Sequence, residues 1–451
     1  MPYRLTVTQA AREIAAGRLS PVDLTEACLR QIDRLEPQLK AWVLVDHEGA
    51  LARARRLQEE LAAGKARGPL HGIPIGVKDI YHTKGMRTSG GSDILADFVP
   101  ESDAEVVHRL RGAGCVILGK TVTTPFACFD PAETRNPWNP AHTPGGSSSG
   151  SAAGVSARMC PIALGSQTGG SISRPAAFCG LTGLKPTHGR VSLRNIMPVG
   201  FSLDHPGPIA RSVVDAATLF QAMAGYDPLD PFCADVPTDD YVGAAHRPGR
   251  VSIGYVTTYF PQAADDAMRG AAESAARAFT EAGSPVSDVA LPDSFTDVHQ
   301  MHRVIMCAEG AAHHADQFAS HRDEYPPGMT GLLDEGLALS AVQYADARRH
   351  QLILRREILQ AFRSADILLT PATVTPAPRG LESTGDPAFN SPWSHAGLPT
   401  VVLPSGLSPD GLPTGIQLIG KPFGEAALLS AAAWCEGVLG WNGVPAVVDA
   451  G

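Results

Sequence analysis

No stretch of this chain approaches the run of about 20 apolar residues that a membrane-crossing helix needs. Its first residues, MPYRLTVTQAAREIAAGRLS, lack the apolar core and small-residue cleavage site of a secretory signal. A cytoplasmic protein is the expectation. Aromatic residues are scarce, at 6%. The eight cysteines (Cys28, Cys115, Cys128, Cys160, Cys179, Cys233, Cys307, Cys435) are scattered, with no CxxC pair and no zinc-ligand spacing, so buried reduced thiols are expected. No HExxH occurs among the fifteen histidines, and the densest group, His302, His313, His314 and His321 around Glu309, has no metal-ligand pattern. No metal is expected. An excess of positive charge is missing too. The 46 acids outnumber the 37 bases and are interspersed with them, which gives a formal charge of −9 and no electrostatic ground for a nucleic-acid or anionic-membrane partner.

What is present is a globular composition, 44% hydrophobic and 18% charged, on a 451-residue chain long enough to bury a large core. Apolar residues recur at helical spacing through VDLTEACLRQIDRL, with Ser20-Pro21 as a helix start, and through GALARARRLQEELAAG, which ends on Gly64 as a cap. GIPIGVKD then reads as an apolar strand, AEVVHRLRGAG as a helix and CVILGK as a buried strand. The step repeats with SGSAAGVSARM as a helix of small residues and PIALGSQ as a strand. Further strands are expected at VSIGYV and near 286–291, with a helix near 264–282 between them, and at DILLTPATVTPAP, GLPTVVLP and GLPTGIQLIG. Alternation of this kind predicts an α/β fold, a central twisted sheet covered by helices. It resumes after a helix-rich region at about 300–365, which favours a single large domain over residues 1–451. Within it, N-terminal helices occupy 1–65, a core about 70–215, and C-terminal strands 366–451.

Two glycine-serine clusters, PGGSSSGSAAG and GSQTGGSISRPA, lie between Pro144 and Ala176. Glycine lets a substrate approach main-chain N–H groups, and serine supplies hydroxyls. A flexible linker would lack the apolar insert VSARMCPIALG that separates them. Neither GxxxxGK[ST] nor a GxGxxG after a strand occurs in this stretch, which removes the phosphate-loop reading. Nucleophilic catalysis is the leading explanation.

A serine hydroxyl needs a base at neutral pH. His142 and His188 bracket the clusters, each on a turn, and no strand runs directly into a GxSxG nucleophile turn. The alternative base is a lysine kept neutral by desolvation, and Lys78 ends the apolar strand IPIGVK.

HGIPIGVKD, PGGSSSGSAAG and GSQTGGSISRPAAFCGLTGLKPTHGRVS resemble the amidase signature family, as do GKTVTTPFA, DILLTPATVTPAP and GLPTVVLPSGLSPDGLPTGIQLIG further along. The resemblance covers nearly the whole chain. It implies carboxamide hydrolysis by a Ser–cisSer–Lys triad, with Ser171 as nucleophile, Ser147 as the bridging serine after a cis peptide, and Lys78 as terminal base. The family spacing between its two serines selects Ser147 over Ser148 and Ser149. The N–H groups of Thr168, Gly169, Gly170 and Ser171 would form the oxyanion hole, where one donor is typically worth about 2.7–4 kcal/mol. No organic cofactor is implied, and Lys185 is expected to be structural.

Two positions depart from the family pattern GSDTGGSIR. Gln167 stands for the acid and Ser173 for the arginine, as though one ion-paired support had been replaced by a neutral one. The arginine lies one place on, at Arg174. This variant and STGDPAFNSPW at 383–393 resemble a branch containing a bacterial malonamidase, in which the matching arginine holds a free substrate carboxylate. Arg174 is therefore a candidate substrate-binding residue. The expected partner is a small amide. The sequence leaves a homodimer open, and it leaves three rival functions: a urea, carbamate or ester hydrolase of the same mechanism, a component of a tRNA-dependent amidotransferase, and an inactive scaffold. The departure at Gln167 and Ser173 argues against the second, and the intact Lys78, Ser147 and Ser171 against the third.

Overall fold

A computed structural model describes residues 1–449. The strands are β1 (Trp42–Val45), β2 (Pro74–Lys78), β3 (Val116–Thr121), β4 (Ile162–Gln167), β5 (Thr182–Lys185), β6 (His205–Ala210), β7 (Ile253–Val256), β8 (Val286–Val289), β9 (Ile367–Pro371), β10 (Thr400–Leu407) and β11 (Pro413–Ile419). They form one mixed sheet in the order β1-β3-β2-β4-β6-β5-β10-β11-β9-β7-β8. This is a single large α/β domain. The predicted strands are present.

β2 is parallel to both β3 and β4. A strand enclosed in this way is buried on both faces, which is why PIGVK reads as a continuous apolar run and not as an alternating one. The cluster SGSAAGVS forms the helix Ser149–Ser156, every residue of it buried. Its small side chains let it press into the sheet: a Cβ on Gly150 would lie 2.1 Å from the Ala41 carbonyl oxygen and 2.4 Å from the Val122 nitrogen. Ser151 fixes the seat, its Oγ donating to the Leu164 carbonyl at 2.7 Å and lying 2.7 Å from Thr121 Oγ1.

Three strands went unpredicted. β1 interrupts the expected N-terminal helices, pairing at the sheet edge with β3. β5 is only four residues long. β6, HPGPIA, carries two prolines that argue against a strand. Both prolines sit in the ladder with β4, opposite Ser166 and Leu164, but β5 pairs only with Ala210 and Ile209, so on that side Pro206 and Pro208 need no N–H. The predicted strand DILLTPATVTPAP is shorter than read, ending at Pro371, and the C-terminal strands are followed by a helix, Glu425–Leu439.

The 300–365 region forms the helices Val298–His321, Pro327–Ala338 and Ala341–Glu357. They enclose a separate apolar cluster that includes Phe126, Val199 and Met329. All eight cysteines are buried and free. None of the helices in the described residues is long and apolar enough to cross a membrane.

Candidate active site

The parallel strands β2, β3 and β4 end side by side, and crevices beyond carboxyl strand ends are where open α/β sheets bind ligands. A cavity of about 310 Å³ lies there. Its walls include residues 127–129, Ser147, residues 168–171, Arg174, the 298–321 helix, residues 384–388 and Ser391. Lys78, at the end of β2, is fully buried, and its Nζ lies 2.7 Å from Ser147 Oγ and 2.8 Å from Ser166 Oγ. Among the described residues no carboxylate pairs with it. Desolvation therefore dominates and lowers its pKa to about 7, against a smaller upward pull from the Asp204 charge. Lys120, its neighbour on β3, differs: it lies 3.3 Å from Asp79 and donates to the Tyr81 carbonyl and Thr88 Oγ1, both at 2.7 Å.

Of the three adjacent serines, Ser147 is the one that meets Lys78. Ser148 Oγ faces the Ser166 carbonyl at 3.3 Å, and Ser149 Oγ donates to the Gly145 carbonyl at 2.8 Å. The Gly146–Ser147 peptide is cis. Ser171 opens onto the same cavity as Ser147. No hydrogen bond joins its hydroxyl to Ser147 or to any other described residue. Catalytic hydrogen bonds are often long in the free enzyme and tighten only around substrate.

Gln167 holds the loop that carries Ser171. Its Oε1 accepts from the Ile172 and Ser173 N–H groups at 2.9 and 2.8 Å, and its Nε2 donates to Ser394 Oγ at 3.1 Å. A neutral side chain thus supports the loop at the position of the family's acid. Ser394 Oγ donates in turn to the Gly169 carbonyl at 3.0 Å. The N–H groups of Gly169, Gly170 and Ser171 have no acceptor among the described residues.

Arg174 is 5% exposed. Its guanidinium donates to the carbonyls of Gly385 and Gly146, both at 2.8 Å, and to Thr384 Oγ1 at 3.0 Å, while Nε has no partner. Burial lowers its pKa to about 10, with Asp386 opposing.

The alternative bases lie elsewhere. His142 contacts the Ala377 carbonyl at 2.8 Å and His188 the Phe201 carbonyl at 3.1 Å; neither lines the cavity. Lys185 is fully buried and does not line the cavity: its Nζ donates to the Leu398 carbonyl and, at 3.5 Å, to that of Trp393. The histidines grouped in the sequence disperse. His302 reaches the cavity, His314 pairs with the Tyr325 hydroxyl at 2.9 Å, and His321 pairs with Glu324 at 2.8 Å.

Several site residues carried no sequence signal. Ser166 is the second contact of the Lys78 amine. Asp204 accepts from Thr168 Oγ1 and from the N–H groups of Val199 and Gly200 at 2.9 and 3.2 Å. Burial raises its pKa to about 6 against those hydrogen bonds.

The family model for amidases matches residues 23–429. The chain belongs to the amidase family. It is 39% identical to a glutamyl-tRNA(Gln) amidotransferase subunit from Azotobacter vinelandii, over 98% of both chains. Among solved structures, the peptide amidase from Stenotrophomonas maltophilia superposes with a TM-score of 0.86 at 32% identity, over 98% of both chains. A 6-aminohexanoate cyclic dimer hydrolase complexed with substrate gives 0.88 at 27% identity, over 99% of both. Enzymes of this family act on C–N amide bonds, so the chain is an amidohydrolase by class.

Proposed function

We propose that this amidohydrolase converts a small carboxamide to a carboxylic acid and ammonia through an acyl-enzyme on Ser171. The observation that carries the reading is Lys78, a buried amine with no carboxylate partner among the described residues and a pKa near neutrality, 2.7 Å from Ser147 Oγ. Neutral Nζ accepts the Ser147 proton as Ser147 Oγ takes that of Ser171, and Ser171 Oγ attacks the amide carbon. The N–H groups of the 168–171 loop receive the negative charge that develops on oxygen. The proton returns through Ser147 to the leaving nitrogen, the C–N bond breaks and ammonia departs. Water then attacks the acyl-enzyme by the same relay in reverse roles.

Ammonia release from a panel of small amides tests this reading, and a protein inert towards all of them contradicts it. The relay also fixes a pH dependence. Only the unprotonated lysine acts as base, so kcat/KM is expected to rise with pH through about 7 and level off above it. A profile flat from pH 5 to 9 would remove Lys78 from the role.

Arg174 supports a further specification, a substrate with a free carboxylate. Its buried guanidinium lines the cavity and has no carboxylate within ion-pair distance among the described residues, an arrangement that costs less once an anion enters. Arg174→Ala is expected to raise KM for malonamate at least about tenfold more than for 3-methylbutanamide, the loss of one charge-assisted pair. Equal losses with a lowered Tm would assign Arg174 to bracing the Gly146 carbonyl alone.

The amidotransferase reading is favoured by the names of the curated relatives. Ammonia release by the isolated chain, without added partners, separates the two.

A further inference from the structure

His299 and His302 stand three residues apart on the 298–321 helix, so one turn presents both to the reaction cavity. His302 is 4% exposed, and neither ring nitrogen has a hydrogen-bond partner among the described residues. Burial keeps the ring neutral, its pKa lowered to about 3. An unpartnered polar ring in a protein interior is destabilising, and protein interiors seldom retain one.

The groups behind it do not use it. His350 Nε2 donates to the Ser294 carbonyl at 2.7 Å, so in the neutral ring His350 Nδ1 accepts from His395 Nε2 at 3.1 Å. His395 Nδ1 is left without a partner among the described residues, and the His395 ring centre lies 6.0 Å from that of His302 with no hydrogen bond between the two rings.

In front of His302 lies the loop that carries the nucleophile. A methyl group built on the Gly169 α-carbon would sit 3.9 Å from His302 Nε2, 3.6 Å from Pro387 Cβ and 4.0 Å from Ser391 Cβ. All three are ordinary contact distances, so a niche one heavy atom wide lies beside Gly169, apolar on one side and hydrogen-bonding on the other. Arg174 is at the other end of the same wall, bonded to Thr384 and Gly385.

We propose that His302 is a specificity-determining residue, and that the acyl chain of the substrate carries a second, uncharged hydrogen-bonding group, a carboxamide, ureido or hydroxyl, which enters the niche beside Gly169 and pairs with His302 Nε2. A neutral imidazole offers one donor and one acceptor, which match such a group and give an alkyl group nothing. The scissile bond assumed here rests on the amidase reading; the binding contact does not.

The test compares malonamide with 3-methylbutanamide, which share one heavy-atom skeleton beyond the scissile amide and differ there in polarity. The wild-type protein is expected to prefer malonamide at least about tenfold in kcat/KM, the worth of one well-formed buried hydrogen bond. In His302→Leu that ratio should fall to about twofold or less, with Tm held or raised because an unpartnered polar ring gives way to an apolar group. His302→Gln, which keeps a donor and an acceptor, should restore part of the ratio. The same ratio is read as Kd by calorimetry in Ser171→Ala and in Ser171→Ala/His302→Leu. Failure of turnover on every amide would thus count against the amidase reading while the Kd ratio still decides the role of His302. A wild-type protein without the preference, an unchanged ratio in His302→Leu, or equal loss on both amides with a lowered Tm would each overturn the proposal.

Discussion

Ser171→Ala is expected to abolish amide turnover, with a loss on the order of 10⁴-fold or more in kcat, while the fold is retained. Removal of an acylated nucleophile eliminates the covalent route and leaves only what binding and the oxyanion donors supply. The structural cost is small because the Ser171 hydroxyl has no hydrogen-bond partner among the described residues, so truncation strands no buried group. Mass spectrometry after treatment with a fluorophosphonate probe reads the result directly: the wild-type protein should gain one adduct, and the alanine variant none. A variant that still labels at the wild-type rate, with Tm unchanged, would move the nucleophile to another residue, Ser147 first.

Lys78→Ala should cost about 10²–10⁴-fold in kcat/KM, the usual range for loss of a positioned general base. The rise in activity through pH 7 should vanish with it, since the lysine is the group assigned to that limb. Binding should change far less. Lys78 is not among the residues that wall the cavity, so KM is expected to stay within a few fold. A Lys78→Ala enzyme that keeps near wild-type turnover and an intact pH limb would require a different base. His142 and His188 would need to move to serve, as neither lines the cavity.

Much of the sheet was legible because burial on both faces writes itself into composition. β2, β3 and β4 are continuous apolar runs between glycine and proline punctuation, and periodicity reads such runs well. β6 was not legible, since two prolines and a glycine in six residues argue locally for a turn and only the short reach of β5 permits a strand there. β1 was hidden for another reason: its four residues lie between two strongly periodic helices. At the site, Lys78, Ser147 and Ser171 stood out through their motifs. Their supports did not. Asp204 under Thr168, Ser394 under Gly169 and His302 opposite Gly169 come from distant segments and meet only when the sheet closes. Nothing in local spacing marks Asp204 or Ser394, and the histidine cluster around His302 pointed to no particular role. The exchange at Gln167 was legible as a neutral replacement, but not its form, which is a side-chain acceptor for two main-chain N–H groups rather than a pair with the Ser173 hydroxyl.

Residues 384–391 touch Arg174 at one end, through Thr384 and Gly385, and border Gly169 at the other, through Pro387 and Ser391. The segment lies outside the sheet, between β9 and β10, whereas Lys78 belongs to β2, an interior strand. The stretch thus supports both ends of the wall that carries the two proposed specificity contacts, Arg174 and His302, while contributing none of the three residues assigned to bond cleavage. Its middle, Asp386 to Ala388, is where the wall can be redrawn; its ends cannot, because Thr384 presses on Gly146 and Asn390 on Gly170, and a change there would reach the serines themselves.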